Sequence, residues 1–174
     1  MKIIYLFILS FLALTMSAQT ATLRCTEKEL KNEDGDDPII EKTCFYKNFK
    51  FVTTSYPDYA GRYDFSEHEV LLLSKGKYIK TTNDRVFNKK QKELVSLLNQ
   101  RIKQDFNAFK ADTATRDCLT EIDSIPIYTM NDFDISFEGD EIWFEVHWGL
   151  SGACRAVDGT IVSFKFNSIK KYLK

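Results

Sequence analysis

Two short alternating runs carry most of the chemistry this chain could perform. Asp132, Asp134, Ser136 and Glu138 occupy every second position of one run, and Glu141, Trp143, Glu145 and His147 every second position of the next. Period-two spacing places each set on one face of a strand, and Gly139-Asp140 between them reads as a two-residue hairpin turn. With that turn Asp134 opposes Glu145, a mildly unfavourable like-charge pair, and Asp132 opposes His147, whose proton affinity it would raise. A carboxylate-rich face with an indole at its centre could dock a cationic protein or an envelope ligand, with Trp143 as the anchor. The candidate binding residues are therefore Trp143, His147, Glu145, Asp134 and Asp132. The plain alternative is a solvated sheet face with one exposed aromatic. Paired carboxylates also suggest glycoside hydrolysis. Asp134 and Glu145, however, would be near-neighbours on a flat strand surface, with no loop-built cleft legible around them.

Other reactive residue types fall short of a catalytic or metal-binding pattern. Gly149-Leu150-Ser151-Gly152-Ala153 lacks the last glycine of a nucleophile elbow, and the chain lacks the alternating β/α order beneath one. Ser168-Ile169-Lys170-Lys171 matches a bare Ser-x-x-Lys with none of its companion motifs. Cys154 with His147 could suggest a thiol nucleophile, but a triad needs a third group and a depressed thiol pKa. The two histidines, His68 and His147, lie far apart in sequence, and no Cys-x-x-Cys or His-x-x-x-His spacing offers a zinc site. Around Gly35, an EF-hand alignment puts Asn32, Asp34 and Glu41 on ligand positions but Leu30 where an oxygen donor is required. No catalytic residue, metal or cofactor is expected. The lysines at 89, 90 and 92 and at 165, 170 and 171 form local clusters on a chain of formal net charge −1. That balance lacks the basic footprint of a nucleic-acid binder.

These groups need elements to position them. Lys2, the apolar run Ile3 to Leu14, and the small residues Ser17 and Ala18 form the three regions of a secretory signal peptide. The run is shorter than the roughly 20 apolar residues that span a bilayer, so no membrane span is expected after cleavage. The expected organisation is a signal peptide over residues 1–18 and one exported domain over residues 19–174, secreted or periplasmic. All four cysteines follow the cut, and an oxidising compartment would pair them. Four cysteines allow three connectivities, and the expected set is Cys25–Cys44 with Cys118–Cys154. Cys25 and Cys44 lie symmetrically about Asp34-Gly35, a hairpin signal, although Pro38 calls for a longer loop or a bulge. The second pair would tie the loop leaving the long helix to the turn after Trp148. Loop-closure entropy gives these bridges about 3.3 and 3.8 kcal/mol respectively.

Strands are expected over Thr22 to Leu30, from Ile39, over Phe49 to Thr54, Glu69 to Leu73 and Lys77 to Thr81. Leu94, Leu98, Ile102 and Phe106 repeat every fourth residue, giving an amphipathic helix that starts on Asn88 as N-cap, with Gln91 completing a capping box, and ends near Lys110. In the following hairpin Phe137 faces Ile142, Ile135 faces Phe144 and Phe133 faces Val146, which pins the register. Asp158-Gly159 turns the chain into a strand over Thr160 to Phe166, and Ser168 to Leu173 can close as a short helix. The fold class is α+β: a largely antiparallel sheet packed on one long amphipathic helix, with a short C-terminal helix and two disulfides.

From Leu94 onward, through "FDISFEGDEIWFEVHWGLSGACRAVDGTIVSFKFNSIKKYL", the chain resembles the extracytoplasmic domain of lysozyme-sensing anti-sigma factors and peptidoglycan deacetylases. The similar features are the helix, the hairpin, a small-residue turn, a last strand and Ile169, Tyr172 and Leu173 in a final "Leu-x-x-Tyr-Leu"-like segment. Gly149 to Gly152 stand where that family has a Pro-Tyr pair. The resemblance implies an α+β binding module at the envelope and no activity. The leading expectation is thus an exported, non-catalytic binding protein of the cell envelope or extracellular space. The alternatives are an inhibitor or immunity protein against a secreted cationic hydrolase, and a small envelope hydrolase.

Overall fold

Alternating residues in the first half of the chain build a five-stranded antiparallel meander: β1 (Arg24–Leu30), β2 (Ile39–Tyr46), β3 (Phe49–Tyr56), β4 (Phe65–Ser74) and β5 (Lys77–Lys80). The computed structural model describes residues 22–174 apart from Asp34, Asp36 and residues 58–64. The signal-peptide reading of residues 1–18 and the Asp34 half of the expected turn lie outside the described residues. Cys25 stands directly opposite Cys44, and the ladder between β1 and β2 closes at Leu30 with Ile39, so the connection is the longer loop that Pro38 requires. Both expected disulfides, Cys25–Cys44 and Cys118–Cys154, are formed.

One face of this sheet changes character along its length. Its cross-strand rows across β2, β3 and β4 are Tyr46–Phe49–Leu72, Cys44–Phe51–Val70, Lys42–Thr53–His68 and Ile40–Ser55–Ser66. The first two rows are almost wholly apolar and belong to the core. The last two are mainly polar.

Helix α1 (Gln91–Ala111) follows. It starts later than the Asn88 capping box would have it. Asn88 Oδ1 accepts from the Lys90 backbone N–H at 2.8 Å, while Asn88 Nδ2 donates to the carbonyls of Lys171 and Leu173. The asparagine is drawn into a local turn and a tertiary tie, which leaves the helix to begin after Lys90 without a side-chain cap. The four-residue stripe is buried as spaced: Leu94, Leu98 and Ile102 are fully buried and Phe106 nearly so.

The stripe packs against a second sheet of three antiparallel strands, β6 (Asp134–Glu138), β7 (Glu141–Val146) and β8 (Thr160–Lys165). Its register matches the spacing argument, with Phe137 opposite Ile142 and Ile135 opposite Phe144. Phe133 precedes β6 instead of pairing with Val146, yet both are buried. The fold is α+β. The antiparallel strands form two sheets, and aromatic edges join them: Phe51 meets Phe137 at 4.9 Å between ring centroids, and Tyr46 meets Phe166, just after β8, at 5.1 Å.

Phe166 opens the single turn of α2 (Phe166–Ile169), which runs into a 3-10 turn over Lys170–Tyr172. This terminal segment is stitched down. The Asn88 N–H donates to Tyr172 O at 2.7 Å, Lys174 N–H to Val86 O at 3.0 Å, and Leu173 bridges to Phe87. Among the described residues, no helix is long and apolar enough to cross a membrane.

Candidate functional site

The edge of the second sheet meets the first sheet across the middle of its graded face. Ile135 and Phe137 point into the shared core with Phe51, while the other parity of β6 faces away from it. That outer face is a grid of three rows: Asp134–Glu145–Ile161, Ser136–Trp143–Ser163 and Glu138–Glu141–Lys165. It is one wall of an open crevice of about 230 Å³. The opposing wall is the polar half of the first sheet: Ile40, Lys42, Thr53, Ser55, Ser66 and His68. The face expected to be flat and solvated therefore confronts a second surface.

The two ends of the crevice differ electrostatically. At one end Glu138, Asp140 and Glu141 are matched by lysines. Lys42 Nζ reaches across to Glu138 Oε2 at 2.6 Å, and Lys165 Nζ lies 2.7 Å from Asp140 Oδ1 and 3.3 Å from Glu141 Oε1. The indole Nε1 of Trp143 donates to Glu141 Oε2 at 3.2 Å, so the central aromatic is tethered to its own strand. That donation, with help from Lys165, holds the Glu141 carboxyl below the usual range.

At the other end Asp134 and Glu145 stand directly opposite each other. No lysine or arginine pairs with either among the described residues; His147 Nε2 lies 3.7 Å from Glu145 Oε1. His68 approaches from β4. Its Nδ1 is 3.2 Å from Thr53 Oγ1. Burial pushes its pKa down; the charges of Asp134 and Glu145 push the other way, and His147 adds to the lowering. Burial prevails, so His68 takes up a proton less readily than a free imidazole despite the two carboxylates.

Of the residues singled out in the sequence, Trp143 and Glu145 line the crevice, while Asp134 lines an adjoining pocket of about 190 Å³ that shares His68 with it. His147 lies past the end of β7 and turns its Nδ1 to the Asp158 carbonyl oxygen at 3.1 Å. Asp132 is placed elsewhere. It ends a 3-10 turn, Met130–Asp132, where its Oδ2 accepts from the Thr129 N–H and hydroxyl at 2.6 and 2.7 Å. The expected Asp132–His147 cross-strand pair is therefore not made: a carboxylate three residues after a threonine closes a capping box more readily than it extends a strand. His68 is the residue that sequence reasoning missed. The signal was Ser66, His68, Val70 and Leu72 at period two, obscured because polarity switches midway along β4.

Two larger grooves, of about 510 and 660 Å³, flank the strongly exposed Ile127 beside α1. Asn99, which lines both, is committed to holding the neighbouring chain: its side-chain amide both donates to Tyr128 O and accepts from Tyr128 N–H. The crevice differs in joining an aromatic, Trp143, to a carboxylate, Glu145, that no lysine or arginine pairs among the described residues. Among the described residues no group of three or more histidine, cysteine, aspartate or glutamate side chains could hold a metal ion.

Comparison of the chain with protein-family models, curated proteins and solved structures found no match. The site must be read from its own geometry.

Proposed function

We propose that this is an exported, non-catalytic binding protein, secreted or periplasmic, whose intersheet crevice receives a cationic group of a protein or envelope ligand. The observation that carries the reading is the Asp134/Glu145 pair, two carboxylates with no lysine or arginine partner, beside the tethered indole of Trp143. An ionised carboxylate only accepts hydrogen bonds, and two of them at one end of an open crevice favour a cation that brings donors. Export draws on the N-terminal charged and apolar segment and on two disulfides, which persist in oxidising compartments.

The test is affinity capture from envelope extract with the intact protein and with the double substitution Trp143→Ala, Glu145→Lys. The substituted positions lie outside the buried core, so near-ultraviolet circular dichroism should keep its folded form while capture is lost. Capture unchanged by both substitutions would remove the crevice from consideration.

A small hydrolase has one observation in its favour, the His68 imidazole 3.2 Å from the Thr53 hydroxyl, its proton affinity lowered by burial against the pull of Asp134 and Glu145. His68→Gln separates the readings. It would abolish turnover in a hydrolase but leave ligand capture in a binding protein.

A further inference from the structure

We infer that the cation the crevice takes is the guanidinium of an arginine side chain presented by a partner protein; this rests on the binding reading above. Four features of the lining point to arginine over other donors.

The first is charge. Glu27, Glu138 and Glu145 line the crevice against the single ammonium of Lys42, and Lys42 is already engaged by Glu138. The unmatched negative charge of the lining is thus carried by Glu27, beside Lys42, and by Glu145, opposite Asp134. The second is the arrangement of acceptors there. Asp134 and Glu145 project side by side from neighbouring strands, with side-chain origins about 5 Å apart. A planar guanidinium carries five N–H donors in a fixed fork and can address two carboxylates together, whereas an ammonium is a compact, strongly hydrated point charge.

The third feature is Trp143. It precedes Glu145 by two residues on β7 and so shares its face. Its ring is fixed by the bond to Glu141. A delocalised cation is less costly to desolvate against an aromatic ring than an ammonium, and arginine is found on tryptophan more often than lysine is. The fourth is the facing wall. Ser55 and Ser66 share a hydroxyl–hydroxyl bond of 2.7 Å, and Thr53 pairs with His68. Each hydroxyl in such a pair keeps acceptor capacity for an outer N–H. The crevice, at about 230 Å³, has room for one long side chain and not for a folded surface, so the partner must project the residue into it.

The experiment titrates the oxidised protein with three blocked tripeptides, Gly-Arg-Gly, Gly-Lys-Gly and Gly-citrulline-Gly, and with a neutral trisaccharide. Calorimetry reads affinity, and the Trp143 indole N–H resonance, one of two in the chain, reads location. Gly-Arg-Gly should bind with an affinity of about millimolar and shift that resonance; citrulline, the uncharged isostere, should bind at least about tenfold more weakly. Lysine should fall between them. Glu145→Gln should weaken arginine binding about tenfold, and Asp134→Asn, kept as a second variant, should act in the same direction. Equal binding of arginine and citrulline, tighter binding of lysine or the trisaccharide, or no effect of either substitution would overturn the inference. The outcome is separable from that of the binding reading. If envelope capture is lost in the Trp143→Ala, Glu145→Lys protein while Gly-Arg-Gly shows no preference, the arginine assignment alone is wrong. If capture survives that double change, the crevice itself is wrong.

Discussion

His68 lines the crevice from β4, and its titration should be visible in stability. Its folded-state pKa is depressed below the ordinary value of 6.5, chiefly by burial. In the window between the folded and unfolded values, the unfolded chain holds more protons, so unfolding free energy rises with pH there. Stability should be fully present above about 6.5 and fall as the solution is acidified through that window. His68→Gln should flatten this limb in a pH series of denaturant melts; an unchanged slope would place the titration elsewhere. Gly159 poses a separate single-residue constraint. Its φ is +119°, and a Cβ there would collide with the Val146 carbonyl. Gly159→Ala should cost about 2 kcal/mol or more, read as a lowered denaturation midpoint. The glycine itself was legible in the Asp158-Gly159 turn. Its close approach was not, because that depends on where β7 ends. His68 was illegible for a related reason: residue patterns report which way a side chain points, not which distant strand it will meet.

At the scale of elements, the chain's own rhythm decided what could be foreseen. The register of the β6–β7 hairpin from Asp134 to Glu145 was legible because two alternating runs flank a two-residue turn, and a slip by one would expose its whole apolar set. The helix stripe was equally clear, but its start was not, since Asn88 had tertiary acceptors to serve. Strand β1 shows what holds an element with little burial. Six of its seven residues are exposed, so its attachment rests on the ladder to β2 and the Cys25–Cys44 bridge. Replacing both cysteines by serine should therefore cost amide-exchange protection in β1 and its partner edge while leaving α1 and β6–β8 protected. Loss of protection throughout would show that β1 belongs to the global folding unit.

For the whole molecule, the decisive fact is that one apolar core spans both sheets, α1 and the terminal turns. Leu98 lies at 0% exposure within it. Leu98→Ala should cost about 2–5 kcal/mol, and far- and near-ultraviolet signals should move to the same lower denaturant midpoint. Divergent midpoints would mean that the sheets unfold separately. The association of the two sheets was the least legible feature, because no local pattern encodes an angle between surfaces formed by distant segments. It is also where the terminal residues become important. Phe166 inserts between Tyr46 and Phe137, and Tyr172 to Lys174 return to Val86, Phe87 and Asn88. The keystone of the interior is thus supplied by a segment that follows β1 to β8 in the chain. Synthesis from the N-terminal side completes those strands before Phe166 is available, so the joint between the sheets reaches its final packing only once residues 166–174 have been added.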